Sequence, residues 1–193
     1  MRRALPVLLV LGGLFMARAG AGEVQKASVD RRKGEYFVDV EVKVSGNKDV
    51  IYKIATDYQK LSRLNKLIVE SGLVHRIAPD GTSVIRRRLI TRTCVMKFCF
   101  NATLVEDVWE PASGIIRTVF VPEESDFVYG EAIWRITRID ADNTLIDFHS
   151  RFRPAFWVPP LVGPYFIRRM MLDAAEETIL NIEQLAAVEK SAP

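Results

Sequence analysis

The sequence predicts an α+β fold in which a curved antiparallel sheet of about seven strands is wrapped round a long C-terminal helix. Three observations support this prediction. A segment near the C-terminus has an apolar stripe at helical spacing. Residues 36–44 alternate between a valine-rich face and a mainly charged face. Residues 65–154 consist of short strand-like runs separated by turn residues.

The C-terminal helix is expected within residues 159–188. Pro159, Pro160 and Pro164 come first and cannot occupy the interior of a helix, and no further Pro or Gly follows as far as Val188. One stripe contains Ile167, Met171, Ala174, Thr178, Ile182 and Leu185, flanked by Met170, Leu172, Ala175, Ile179 and Val188. The far side is expected to carry Arg169, Asp173, Glu176 and Glu183. The apolar arc covers roughly half the circumference, which suits a helix lying in the concavity of a curved sheet.

Residues 36–44 are predicted to form the first strand, with Tyr36 and four valines on its buried face. Two short helices are expected next. The first is indicated by Val50, Ile51, Ile54 and Ala55, and the second is expected to start at a cap residue, Asp57, and to include Leu61 and Leu64. Both would brace one end of the sheet.

The remaining strands are expected near residues 70–77, 82–93, 98–109, 115–122, 126–139 and 145–153. Turn pairs at 80–81, 113–114 and 142–143 separate several of them. Consecutive strands joined by short turns form an antiparallel meander.

Residues 1–22 are predicted to be a signal peptide. Arg2 and Arg3 precede an apolar run at 4–17, and small residues follow where a signal peptidase would cut. An uncleaved N-terminal anchor is the alternative. The mature protein is therefore expected to be exported, either periplasmic or secreted, with a linker at 23–34, one domain at 35–188 and a tail at 189–193.

Removing the signal peptide changes the charge balance. It contains three of the 27 basic residues and no acidic residue, so 24 basic residues face 24 acidic ones in the mature chain. A neutral chain gives no compositional support for binding nucleic acid.

The two cysteines, Cys94 and Cys99, are expected to face each other across a tight hairpin and form a disulfide. In an exported protein oxidation is the default. The alternative is two free buried thiols. The spacing lacks a second ligand pair and does not predict a metal site.

This pairing predicts the register of the hairpin. Opposed residue numbers then sum to 193, so Leu89 faces Leu104 and Arg87 faces Glu106 on the more apolar face. The Arg87–Glu106 pair would orient the polar head of a ligand, or would be a structural pair at the rim of the sheet.

Other cavity-lining residues are predicted from the strand and helix stripes. They are Gly130, Ala132, Trp134, Phe148, Phe152, Ile167, Met170, Met171 and Ala174. The small residues Gly130 and Ala132 would leave space opposite the helix. Ordinary core packing is the alternative for each stripe.

The segment before the helix is apolar but rich in proline. Arginines at 151, 153, 168 and 169 flank it, which suits a gate that contacts a membrane interface. Its residues are Phe156, Trp157, Val158, Leu161 and Val162. The alternative is a loop folded back to plug the core.

The order of elements resembles the helix-grip fold of the START-like (SRPBCC) superfamily, especially its polyketide cyclase, lipid-transport and coenzyme Q-binding branch. The resemblance rests on the strand at 40–44, the stretch 50–58 with Leu61 after it, and Arg153-Pro154 before the long helix. It covers residues 35–188. Asn65 departs from the family, which often has a proline there. The resemblance implies a seven-stranded sheet round the last helix with a hydrophobic cavity between them.

The leading functional hypothesis is an exported, non-enzymatic protein that holds a lipid, isoprenoid quinone or polyketide-like molecule and contacts a membrane transiently. The alternatives are a polyketide cyclase or aromatase, and a protein-interaction domain with a filled cavity. No catalytic motif, metal cluster or cofactor fingerprint is present in the sequence. The sequence does not determine the oligomeric state.

Overall fold

The computed structural model describes residues 22–77, 84–95, 98–159 and 162–191. The strands are β1 (Glu23–Arg32), β2 (Glu35–Ser45), β3 (Ile68–Ile77), β4 (Val84–Val95), β5 (Phe98–Ala112), β6 (Ile115–Phe120), β7 (Phe127–Arg138) and β8 (Asn143–Pro154). The helices are α1 (Lys48–Ala55) and α2 (Gly163–Ser191), and short 3-10 turns occur at Leu61–Arg63 and Pro122–Glu124. The predicted signal peptide lies outside the described residues, apart from Gly22.

The eight strands form one open antiparallel sheet in the order β1-β2-β8-β7-β6-β5-β4-β3. Strands β3 to β8 form the predicted meander, and β8 then pairs with β2 over residues 143–152. The α+β class, the curved antiparallel sheet and the long C-terminal helix are therefore confirmed.

Three details of the prediction were wrong. The segment 23–34 is a strand rather than a linker, because β1 pairs with β2 through its backbone while burying one large apolar side chain, Val29. The sheet consequently has eight strands. The predicted second short helix is a 3-10 turn whose cap position, Lys60, makes no side-chain cap bond. Residues 189–191, expected to be a tail, are the last turn of α2.

The predicted alternation in β2 is confirmed. Tyr36, Val38, Val40, Val42 and Val44 are all at most 5% exposed, and they form the centre of the core. The residues between them are half-buried on the convex face. At the end of β2 the chain bends at Gly46 and enters α1, whose first turn is capped by the Asn47 side chain.

Helix α2 is buried unevenly along its length. Its C-terminal half contributes Ile179, Ile182 and Ala186 to the core, and it lies against α1, β1 and β2. Its N-terminal half carries the stripe residues Ile167, Met171 and Ala174, which are half-buried.

Glu183 was expected on the solvent side of α2 and is instead buried. Its Oε1 accepts a hydrogen bond from the Ser45 backbone N–H at 2.7 Å. The carboxylate therefore satisfies a donor at the end of β2, which explains why a charged residue lies inside the wide buried arc.

Candidate ligand site

Directly opposed residues place a set of aromatic and small side chains on the concave face of the sheet. Ala132 lies opposite Ser150, and Trp134 lies opposite Phe148. The Trp134 and Phe148 ring centroids are 4.6 Å apart, yet both side chains are half-buried rather than buried. Large apolar side chains that face inward and retain exposure indicate unfilled space beside them.

A groove of about 270 Å³ lies between α2 and the edge of the sheet. Its walls include Ala27 and Val40 from the strands and Leu172, Ala175 and Ile179 from the helix. Because Val40 belongs to the concave face, this groove shows that α2 does not close completely on the sheet at β1.

A larger groove of about 470 Å³ lies elsewhere, beside the N-terminus of α1. Its cationic side chains are already engaged: Lys48 bonds Ser113, Arg135 pairs with Asp147 and Arg138 pairs with Asp49. This groove therefore has less to offer a ligand than the space beneath α2.

Gly130 does not leave the space that the sequence predicted. It is buried, but a Cβ at this position would overlap the Phe120 ring, which occupies the site. Val128 would share the face of Gly130 in a regular strand, but it is 51% exposed because a bulge between Phe127 and Tyr129 turns it outward. Phe127 points inward instead and contacts both Phe120 and Phe152 edge-on.

The predicted register of the β4–β5 hairpin is confirmed. Cys94 opposes Cys99, Leu89 opposes Leu104 and Arg87 opposes Glu106. The two cysteines form a disulfide with a Cα separation of 4.0 Å. Leu89 is buried and Leu104 is half-buried on the concave face.

Arg87 and Glu106 form a buried ion pair. The Arg87 Nε donates to Glu106 Oε2 at 2.7 Å, and the two residues are 8% and 3% exposed. The Arg87 guanidinium also lies 5.0 Å from the centre of the Tyr58 ring. This is the main polar feature of the concave face near β4 and β5.

Tyr58 belongs to a second polar cluster that sequence reasoning missed. The hydroxyls of Tyr52 and Tyr58 donate to the two carboxylate oxygens of Glu110, at 2.6 and 2.7 Å. Burial is the main cause that raises the pKa of both tyrosines, and the hydrogen bonds to the Glu110 carboxylate add to it. The signal in the sequence was weak, because the three residues come from α1, the loop after it and β5.

Contacts with β4 and with the connection before β3 hold α2 in place over the site. Met170 Sδ accepts a hydrogen bond from the Thr93 hydroxyl at 3.1 Å, which holds the start of α2 over the end of β4. Ile167, Met171 and Ala174 follow on the same side and are half-buried. Asn65, where the related family often has proline, donates from Nδ2 to the Ala174 carbonyl at 2.8 Å. The asparagine thereby ties the connection before β3 to the middle of α2.

Comparison with solved structures gives consistent matches to one fold. A START superfamily protein from Mycobacterium smegmatis aligns with a TM-score of 0.62 at 18% identity, over 79% of this chain and 98% of the other. A STAR-related lipid transfer protein from Xanthomonas axonopodis aligns with a TM-score of 0.59 at 14% identity, over 89% and 100%. An aromatase/cyclase from Streptomyces sp. R1128 aligns with a TM-score of 0.54 at 16% identity, over 80% and 93%.

This chain has the START-like fold. At these identities the likeness concerns the fold alone. No family model and no curated protein sequence matches the chain.

In this START-like domain the segment before α2 and the first turn of α2 carry exposed apolar side chains, several of them aromatic. Trp157 is 78% exposed, Tyr165 68% and Val162 52%, whereas Val158 is half-buried against Gly163. Leu161, predicted to belong to the same gate, lies outside the described residues. We call Phe156, Trp157, Val162, Tyr165 and Phe166 the mouth patch.

Phe156 connects the mouth patch to the interior. Its ring lies 5.9 Å from Phe100 at the surface and 6.0 Å from Phe127, measured between centroids. Phe127 in turn contacts Phe152, which stacks on Tyr36 in the core. A continuous row of aromatic rings therefore runs from Phe156, in the segment before α2, to Tyr36 in the core.

Two further features were not found among the described residues. This part of the chain contains no group of three or more His, Cys, Asp or Glu side chains arranged to hold a metal ion. None of its helices is long and apolar enough to cross a membrane.

Proposed function

We propose that this protein binds an apolar ligand between the concave face of the sheet and α2, and carries it without chemical change. The observation that carries the proposal is the half-buried state of Trp134 and Phe148, which lie side by side on the concave face of β7 and β8. A filled core would bury these two side chains completely, because large aromatic side chains stabilise the folded state mainly by being removed from water.

The helix wall supports the same function. The groove between β1 and α2 is lined mostly by apolar side chains, and the N-terminal half of α2 carries two half-buried methionines, Met170 and Met171. Methionine side chains are flexible and polarisable, which suits a wall that adapts to a ligand. Two structures similar to this chain are named a lipid transfer protein and an aromatase/cyclase, which fits an apolar ligand of either kind.

The mouth patch is the proposed route of ligand exchange. Its exposed aromatic side chains lie where α2 begins, and the Phe156 ring leads from them to the core. Indole and phenol side chains favour the interface between a membrane and water. Arg153 and Arg168 beside the patch are exposed, so an anionic membrane would attract this end of the domain.

Export belongs to the proposal as well. Cys94 and Cys99 form a disulfide, and disulfides persist mainly in oxidising compartments. Together with the basic and apolar N-terminal sequence, this disulfide supports a periplasmic or secreted location.

Filling the proposed space tests the function. Ala132→Phe places a ring on the concave face beside Trp134, whereas Ile133→Phe places one on the convex face of the same strand. We expect delipidated wild type and Ile133→Phe to bind Nile red and to release a common ligand on mass spectrometry of the purified protein. Ala132→Phe should bind at least tenfold more weakly. Wild type that binds no apolar probe would contradict the proposal.

A cyclase or aromatase is the second candidate. Tyr58, Glu110 and Arg87 supply acid and base groups next to the concave face, and such groups could guide the folding of a reactive polyketide chain. Incubation with a poly-β-ketone thioester would distinguish the candidates. A cyclase yields one cyclised product and loses this activity in Tyr58→Phe, whereas a carrier gives the same products as buffer.

A further inference from the structure

The described part of the chain buries more negative than positive side chains. The buried charged side chains are Arg87 on β4, Glu106 on β5 and Glu183 on α2. Arg87 is paired with Glu106, and Glu183 is held by a backbone N–H of Ser45. The described residues therefore bury one cation and two carboxylates.

Charges near the rim do not reverse this balance. Glu110 adds a third carboxylate at the exposed edge of the concave face, where it accepts from two tyrosines. Arg63 is paired with Asp57, and Arg31, at the solvent-facing edge strand, is exposed. The stripe of α2 that faces the sheet contributes Ile167, Met171 and Ala174, which carry no charge.

An anionic ligand would meet an unfavourable environment in this space. Arg87, the one buried cation among the described residues, already has its charge balanced by Glu106, to which its Nε donates at 2.7 Å, so a phosphate, sulfate or carboxylate head would enter without a counter-charge. Burial of an unpaired charge is costly, and the Glu106 carboxylate would repel it at short range. A hydroxyl or carbonyl group avoids both costs: either group can accept a hydrogen bond, and a hydroxyl can also donate one.

We propose that Glu106 makes this site selective for uncharged apolar ligands, so that long-chain alcohols, sterols or isoprenoid quinones are accepted and anionic lipids are rejected. This inference rests on the proposed function and defines the ligand class. The surface and the interior of the domain would then differ in charge preference. The mouth patch lies beside exposed arginines that suit an anionic surface, whereas the interior excludes an anionic ligand.

The neighbouring pair of charges shows why selectivity is a better account of Glu106 than stability. Arg86 and Asp107 are opposed at the adjacent register position, on the convex face, and pair through Arg86 Nε to Asp107 Oδ1 at 2.7 Å. That pair links β4 and β5 with partial access to solvent. A fully buried pair gains little stability over apolar residues of the same size, because desolvation offsets the attraction.

The experiment compares oleyl alcohol with oleyl sulfate, two probes with one tail that differ in head charge. Their dissociation constants are measured by Nile red displacement from delipidated protein, below the micellar concentration of the sulfate. We expect wild type to bind the alcohol at least tenfold more tightly. In Glu106→Gln the ratio of the two dissociation constants should fall at least tenfold, because Arg87 is freed to meet an anion.

Two further variants complete the design. Arg87→Gln combined with Glu106→Gln restores the original buried net charge, so the ratio should return to within about threefold of wild type. Asp107→Asn removes the matched carboxylate on the convex face and should leave the ratio unchanged.

The outcomes separate the two proposals. Wild type that binds neither probe contradicts the proposed function. Wild type that binds oleyl sulfate as tightly as the alcohol, or a folded Glu106→Gln variant with an unchanged ratio, overturns the selectivity while leaving the function intact. The wild-type ratio needs no variant, so it remains decisive if Glu106→Gln fails to fold.

Discussion

The ring of Phe120 occupies the place of the missing side chain of Gly130 on the neighbouring strand β7. An added Cβ would overlap three atoms of that ring, and the same ring contacts Phe127 edge-on at 5.4 Å between centroids. Glycine is therefore required at this position by packing, and the aromatic row beneath the mouth patch depends on it.

We expect Gly130→Ala to lower the free energy of unfolding by about 1–3 kcal/mol, because the methyl group forces Phe120 out of its packed position. Chemical denaturation with urea measures the change. Gly72→Ala is the matched control, since a Cβ there meets nothing within 4 Å, and it should be neutral or slightly stabilising. Equal effects of the two substitutions would show that the Phe120 ring can move aside without loss of stability.

The disulfide is expected to contribute modestly to stability. It closes a loop with a sequence separation of 5, and the chain-entropy model assigns about 2 kcal/mol to so short a loop. Urea denaturation of Cys94→Ser/Cys99→Ser against wild type measures this difference. Thiol titration of unreduced, denatured wild type should find no free thiol, and two free thiols would refute the bridge.

Replacing Trp157 and Tyr165 with serine should slow ligand transfer between vesicles by more than tenfold. Burial of an indole at a membrane interface is worth on the order of 2 kcal/mol, and this contribution is lost. Thermal stability should change little, since the two side chains are 78% and 68% exposed. Val69→Ser/Leu73→Ser, on the edge strand β3, is the control for loss of exposed apolar surface. A sharp fall in melting temperature would show that the mouth patch belongs to the core.

Ionic strength provides a separate check on the mouth patch. Arg153 and Arg168 are exposed and have no acidic partner among the described residues, whereas Arg169 is paired with Asp173. We expect transfer from anionic vesicles to slow as salt is raised, because salt screens the attraction of such exposed charges. Arg153→Gln/Arg168→Gln should reduce the salt dependence, and an unchanged salt dependence would exclude these two side chains from docking.

The Glu110 cluster makes stability sensitive to high pH. Burial and hydrogen bonds to Glu110 raise the pKa of Tyr52 and Tyr58 in the folded state above the ordinary value of 10.0. The folded protein then retains protons that the unfolded chain releases, so the stabilisation is complete below about pH 10 and is lost as the pH rises further. Alkaline urea titrations should show this decline.

Glu110→Gln should lower the pKa of both tyrosines toward 10, because the charged acceptor is gone. More tyrosine absorbance should then appear near pH 10 in the folded variant than in folded wild type. Asp107→Asn removes a carboxylate three positions before Glu110 on the same strand, where it pairs with Arg86. This control should leave the tyrosine titration unchanged. Identical titrations of Glu110→Gln and wild type would mean that burial alone raises these pKa values.

Much of the fold was predictable because it depends on local periodicity. The alternation of residues 36–44 identified which face of β2 is buried, since successive side chains on a strand point to opposite sides. The spacing of Cys94 and Cys99 determined a hairpin register, and through it the pairing of Arg87 with Glu106. Strand β1 was missed because an edge strand needs one backbone partner and can bury very little, so it leaves no apolar alternation.

The sequence by itself determined the α+β class, the order of the strands from β2 to β8 followed by the long helix α2, the buried face of β2 and the register of the β4–β5 hairpin. The tertiary structure alone decided that Phe120 fills the space over Gly130, that a bulge turns Val128 outward and that Glu183 reaches the end of β2. It also brought Tyr52, Tyr58 and Glu110 together from three elements. Periodicity records which way a side chain points along its own element, whereas these contacts depend on how far neighbouring strands and helices stand apart, which no local pattern encodes.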